Sequence, residues 1–245
     1  MRRLRRCKGD RALLEGPHLI GEAAAAGIGL EAVLATPSFL ASPAGRAFVE
    51  RLPRAPDEVA EDLLSAVLDA DSPRGVAAIA ALPRAGVETL PRREGGVYLF
   101  VEGLQDPGNL GALVRAAEAA GVAGMALAPG SVHPNHPRAL RASAGSLLRL
   151  PVAVGATAAA LDERLAPTGP RWVELAVRGG DPLWQADLSG TLVLVLGAEG
   201  SGLSAELAGR ADLRLTVPMA GTVESLNATV AASLVLFEIR RRAGG

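Results

Sequence analysis

The stretch Leu192-Val-Leu-Val-Leu196-Gly197-Ala198-Glu199-Gly200-Ser201-Gly202-Leu203-Ser204 decides how the chain is read. Five consecutive apolar residues without polar alternation describe a strand covered on both faces, as in a parallel sheet between helix layers. The glycine-rich turn that follows lets main-chain groups approach a ligand closely. Its spacing is G-x-x-G-x-G. That is neither the P-loop pattern nor the dinucleotide G-x-G-x-x-G, and a dinucleotide fold carries its loop after the first strand rather than near the C-terminus.

Working outward, the same alternation of buried strand and helix recurs. Val97 to Leu104 is a second near-continuous apolar run, and Leu110, Leu113, Val114 and Ala117 share one face of a helix over Leu110 to Ala120. Further strands are expected at Gly124–Ala128, Val152–Val154, Trp172–Val177 and Leu213–Val217. Helices are expected at Arg138–Leu148, Ala156–Leu165 and Val223–Arg242. This pattern is an α/β layer fold with a parallel sheet flanked by helices. Upstream, helices at Gly16–Ala26 and Val59–Leu68 (with Leu63, Leu64 and Val67 inward) and strands at Glu31–Ala35 and Gly75–Leu82 describe a smaller α/β domain. The stretch between Leu82 and Gly96 holds two prolines and three glycines. It divides the chain into an N-terminal domain over 1–82, a linker over 83–96 and a larger domain over 97–245.

Composition bounds the partners. The 245 residues carry 25 basic and 26 acidic side chains, a net charge of −1, with 49% apolar and 3% aromatic residues. Such a chain buries a core and is not disordered. One cysteine, Cys7, excludes a disulfide scaffold or a cysteine-rich zinc site and fits a reducing cytoplasm. His133 and His136 in a proline-containing loop make a poor metal site, and no metal is expected. No apolar stretch reaches the ~18 residues of a membrane helix, and no secretory signal core follows Met1 to Arg6. The near-zero charge is a cancellation. Arg2, Arg3, Arg5, Arg6 and Lys8 crowd the N-terminus, Arg240 to Arg242 close the chain, and residues 57–71 hold six acids and no base.

Three segments carry chemistry, each at a strand's carboxyl end where ligands of open α/β sheets gather. They are Asp106-Pro-Gly-Asn109-Leu-Gly with Arg115 and Glu118 beyond it, the Gly197 turn with Glu199, and Val217-Pro-Met219-Ala-Gly-Thr-Val-Glu224-Ser225-Leu226-Asn227. Taken singly, each also reads as ordinary structure: Asn109 as a helix cap with a solvated Arg115–Glu118 pair, the glycines as a tight turn, Ser225 and Asn227 as caps.

Together, and in this order and spacing, the segments resemble the SpoU (TrmH) family of RNA ribose 2′-O-methyltransferases within the SPOUT superfamily. The likeness runs from Val97 to about Arg241, with Arg138-Ala-Leu-Arg-Ala-Ser143-Ala-Gly-Ser as a fourth matching stretch. The N-terminal part looks like the small substrate-binding domain of the ribosomal-RNA branch, with Leu14-Glu-Gly as its opening helix. The resemblance implies S-adenosylmethionine as methyl donor, a C-terminal trefoil knot, and a homodimer with RNA bound across it. It places the donor against Leu196, Gly197, Val217, Met219 and Leu226, and a catalytic network in Asn109, Arg115, Glu199, Ser225 and Asn227. It makes Arg115 the proton acceptor. A guanidinium holds its proton to above pH ~12, so a second role, clamping phosphate and the developing alkoxide, fits Arg115 as well. The N-terminal basic run would meet the RNA backbone. The two-domain layout favours ribosomal over transfer RNA. A nucleotide-dependent oxidoreductase and an inactive RNA-binding protein of the same fold are the competing readings.

Overall fold

The computed structural model describes residues 10–68, 74–83, 86–198, 202–221 and 223–244. The first unit comprises β1 (Arg11–Glu15), α1 (Pro17–Ala25), β2 (Leu30–Ala35), α2 (Pro37–Ala41), α3 (Pro43–Val49), β3 (Asp57–Glu58), α4 (Glu61–Ser65) and β4 (Val76–Ala81). Its strands lie in the order β1-β4-β2-β3, with β4 antiparallel to β1 and β2 and β3 parallel to β2.

The second unit comprises β5 (Val97–Val101), α5 (Pro107–Ala120), β6 (Gly124–Leu127), α6 (Pro137–Ala142), β7 (Val152–Val154), α7 (Ala158–Leu165), β8 (Arg171–Leu175), β9 (Asp181–Pro182), β10 (Leu192–Leu196), α8 (Ala205–Arg210), β11 (Leu213–Thr216) and α9 (Ala228–Arg242). Its seven strands run β7-β6-β5-β10-β8-β11-β9, and every neighbouring pair is parallel.

The period-two geometry of a strand explains why β10 is apolar throughout. Leu192, Leu194 and Leu196 point into one core layer with Leu110, Leu113 and Val114 of α5 and Val235 and Leu236 of α9. Val193 and Val195 point into the other, with Leu161 and Leu165 of α7 and Leu207 of α8. Each such side chain contributes about 1.5–3 kcal/mol by leaving water. The first layer continues into the first unit through Leu14, Ile20, Val76 and Ala80. The segment between the units is itself anchored: Leu90 is buried in the second layer, and Arg164 donates to its carbonyl at 2.6 and 2.9 Å.

Several expected elements change. Leu14 and Glu15 end a strand rather than open a helix. Leu13 and Leu14, adjacent on that strand, face two different clusters, and Gly16, at φ 87°, makes the turn into α1. The helix expected over Val59–Leu68 is one short turn, and Leu63 is 43% exposed. Leu64, Val67 and Leu68 face the small cluster with Leu13 and Ala77. The helix over Arg138–Leu148 is broken. Ala144 (φ 49°) and Gly145 (φ 93°) take left-handed backbone, and a single 3₁₀ turn, Ser146–Leu148, follows. The helix expected from Val223 begins only at Ala228.

The end of α9 is strapped down by one carboxylate. Glu238 is 8% exposed and accepts from Arg241 at 2.8 Å and from Arg242 at 2.7 Å. Arg242 also donates to the carbonyls of Leu183 and Ala186 at 2.8 and 2.6 Å. Hydrogen bonds from Arg241 and then Arg242 pull the Glu238 carboxyl down from 4.5 to about 2. A depressed carboxyl contributes stability in full above its unfolded value and loses it as pH falls through the folded one. The melting-temperature gap between the wild type and Glu238→Gln is therefore expected to be constant near neutrality. It should shrink between pH 4.5 and about 2. A gap that stays constant across that window would count against the strap.

Candidate active site

The cleft opens at the carboxyl ends of β8, β10 and β11, where parallel strands leave their last carbonyls and the following loops free. It encloses about 700 Å³, within the range of small-molecule sites. Its apolar wall is Leu175, Leu196, Val217, Met219, Leu226 and Ala231. All five residues expected to hold the donor (Leu196, Gly197, Val217, Met219 and Leu226) line it, and so do Ser225 and Asn227.

Gly197 of the turn is required by close approach, and Gly202 by its left-handed backbone at φ 70°. A Cβ on Gly197 would stand 2.5 Å from the carbonyl oxygen of Gly202 and 2.6 Å from the nitrogen of Leu203. Ala198 and Gly202 exchange backbone hydrogen bonds of 3.1 and 3.0 Å, which ties these two residues to each other. Glu199 lies outside the described residues, as do Arg2, Arg3, Arg5, Arg6 and Lys8. The far side of the turn is held by Glu102, whose Oε2 accepts from the Ser204 nitrogen at 2.9 Å.

Asn109 is not the cap of its helix. Asp106 takes that place, its Oδ1 accepting from the Asn109 nitrogen at 2.8 Å, so the Asn109 side chain points onward. Asn227 does cap α9, accepting from Thr229 and Val230 at 2.9 and 3.3 Å. Its amide nitrogen lies 3.5 Å from Asn109 Oδ1, and Thr229 Oγ1 donates to the Asn109 carbonyl at 3.2 Å. The first and third motifs thus meet at the lip of the cleft. The capping reading of Asn227 is correct and incomplete, because the cap leaves the amide nitrogen to face Asn109.

Arg115 stands apart. It is exposed on α5, does not line the cleft of its own chain, and does not pair with Glu118. Glu118 instead accepts both arms of Arg149, at 2.6 and 2.9 Å, which holds its carboxyl below the ordinary value. Arg115 has no carboxylate partner among the described residues.

Sequence reasoning missed the wall from Glu174 to Arg178 and Arg214. Glu174 and Arg214 face each other across β8 and β11, 3.4 Å apart. Among the described residues no cluster of His, Cys, Asp and Glu could hold a metal ion, and no helix is long and apolar enough to cross a membrane.

A wholly parallel sheet with a glycine-lined cleft at its carboxyl edge defines an α/β enzyme that takes a small organic cofactor. The family is set by comparison: residues 96–237 match the SpoU rRNA Methylase family, and the chain belongs to it. Over 96% of its length it is 31% identical to the Bacillus subtilis 23S rRNA (guanosine(2553)-2′-O)-methyltransferase RlmP, covering 90% of that protein. The crystal structure of the SpoU methyltransferase AviRb from Streptomyces viridochromogenes, in complex with AdoMet, superposes with a TM-score of 0.87 at 26% identity. That match covers 96% of this chain and 91% of the other. An AdoMet-bound rRNA methyltransferase from Sinorhizobium meliloti superposes with a TM-score of 0.81 at 28% identity, over 95% and 88% of the two chains. Membership of this family sets aside the oxidoreductase reading.

Proposed function

We propose that the chain methylates a ribose 2′-hydroxyl of ribosomal RNA from S-adenosylmethionine, acting as a cytoplasmic homodimer. The observation that carries this reading is the convergence of the Gly197 turn and the 217–227 segment on one cleft, with Asn109 of the first segment meeting Asn227 at its lip. The residues fit the donor. Leu196, Val217, Met219 and Leu226 offer apolar surface to an adenine, while the Gly197 backbone, Ser225 and Asn227 offer hydrogen bonds at the cleft's polar side. When bound, the donor supplies an electrophilic methyl group on a sulfonium. Asn109 and Asn227 orient the ribose hydroxyl, and holding the reacting atoms close and aligned is the main catalytic service such a site can render. Arg115 clamps the adjacent phosphate bidentately and stabilises the charge growing on the attacking oxygen.

The dimer accounts for two features at once. α9 has a second apolar face, Val230, Leu234 and Phe237, which together with Trp184 (55% exposed) and Ala112 lines an open groove. Exposed large apolar side chains gathered in one patch mark an association surface. Arg115 lies one turn beyond Ala112 on α5, beside that face. On this reading it serves the cleft of the partner subunit. The return of 217–227 to the cleft that 175–178 also line, with β10 seated between β5 and β8, supports a knotted C-terminal path.

The first unit and the basic N-terminus are assigned to RNA. Deleting residues 1–9 is expected to weaken RNA binding and flatten its salt dependence, leaving donor binding intact, because each lost phosphate contact lowers the salt slope by about 0.7–0.9. An unchanged slope in a filter-binding titration would show the run to be a solvated tail. The function itself is tested by labelled methyl transfer onto unmodified total RNA and mapping of the product. Incorporation into 23S rRNA is the expected result, since the relative from Bacillus subtilis is named for that RNA. No incorporation would leave an RNA-binding protein, and incorporation into transfer RNA would move the substrate.

A further inference from the structure

One side chain outside all three motifs bridges the two units. Arg149 follows the 3₁₀ turn after α6. Its Nε and Nη2 donate to Glu118 of α5 at 2.6 and 2.9 Å, and its Nη1 pairs with Glu22 of α1. Two further ties flank it. Arg141 of α6 pairs with Glu15 of β1, whose side chain is 4% exposed, and the buried Asn135 donates to the Leu82 carbonyl at 2.9 Å.

We propose that Arg149 is a positioning residue that couples the first unit to the catalytic helix. Through Glu22 it senses the placement of α1, and through Glu118 it fixes α5, the helix that carries Asn109 and Arg115. The inference rests on the reading that the first unit holds RNA.

The geometry requires arginine. A planar fork can bind one carboxylate with two arms and still present a third nitrogen to another, which the single ammonium of lysine cannot do. The local backbone makes room for it: a Cβ on Gly145 would come within 2.9 Å of Arg149 Nη1 and 3.0 Å of Glu22 Oε2. The bidentate bond lowers the Glu118 carboxyl and raises the Arg149 guanidinium. Glu118 lies three residues beyond Arg115, so the grip falls within one helical turn of the proposed phosphate clamp. In-line attack tolerates misplacement of only about an ångström before rates fall steeply. A recognition unit hung loosely would still bind RNA but would present the ribose poorly.

The test uses Glu22→Gln, Arg149→Met and the double variant in the full chain. Each single change is expected to lower turnover on RNA about 10-fold, with RNA and donor affinities held within about twofold. The double variant should cost no more than the worse single, because contacting partners are not additive. Amide exchange gives a readout independent of turnover. Glu22→Gln, a change confined to α1, should speed exchange in 107–120 as well as in 17–25. Additive losses, wild-type turnover, or exchange that rises in α1 alone would overturn the coupling. A wild type that methylates no RNA would instead sink the functional reading, and the exchange experiment would still decide the coupling.

Discussion

Gly197→Ala is expected to lower donor affinity at least about 100-fold, roughly 2.8 kcal/mol at 1.4 kcal/mol per decade. The cause is geometric. The added methyl would overlap the backbone of Gly202 and stand 2.6 Å from the Leu203 nitrogen, and neither is the free end of a flexible side chain. To make room, the Gly202 strand of the turn must retreat, which breaks the paired bonds between Ala198 and Gly202. Both sides of that bridge line the cleft. Gly209→Ala is the control: that helix position has open space around its Cβ, and alanine there should be neutral or stabilising by up to about 1 kcal/mol. Calorimetric titration with the donor reads both variants. Near-normal affinity in Gly197→Ala would show that the turn does not touch the donor.

How far such a site could be seen in the sequence depends on whether its causes are local. The β10 run was legible because burial on both faces leaves no polar alternation, and every one of Leu192 to Leu196 is buried. The α5 face was legible for the same reason, since Leu110, Leu113, Val114 and Ala117 are all buried. The start of α9 was not legible. Val223 and Leu226 continue an apolar spacing, yet Asn227 turns its side chain onto the following amides and ends the loop there. Ser225, Leu226 and Asn227 thereby become part of the cleft wall instead of a helical turn. The outward stripe of α9, at i, i+4 and i+7 from Val230, was present as a period. It hides because the inward stripe Ala232, Val235 and Leu236 has the same period. The wall from Glu174 to Arg178 has no local signal at all. It borders the cleft because β8 pairs with β10 and β11 rather than with its neighbours in sequence, and only the sheet order creates that adjacency. The same holds for Arg149, whose two carboxylates lie 127 and 31 residues away.

Arg115 carries the second large effect. Arg115→Ala should lower turnover by about 10³-fold, the scale for removing one donor aimed at developing charge. Donor affinity should stay within about twofold, because Arg115 does not line the cleft of its own chain. Arg115→Lys separates two roles. It keeps the charge and loses the fork, so a bidentate clamp predicts a loss of about 10²-fold in that variant, and near-normal turnover would exclude the clamp. A shifted proton acceptor would instead show itself as a pH–rate profile whose basic limb moves with the substituted side chain. The place of Arg115 beside the apolar face gives a further discriminating result. In the proposed homodimer, chains carrying Arg115→Ala, mixed with chains carrying Gly197→Ala and allowed to exchange, would form hybrid dimers. If Arg115 reaches the partner's cleft, each hybrid has one intact site and random mixing restores about a quarter of wild-type turnover. If Arg115 serves its own cleft, no hybrid has an intact site and the mixture stays inactive. Phe237→Glu places a charge in the groove that Val230, Leu234 and Trp184 share. It should abolish the recovery together with the dimer, as sedimentation would show. Recovery that survives in a chain sedimenting as a monomer would sever the link between this face and catalysis.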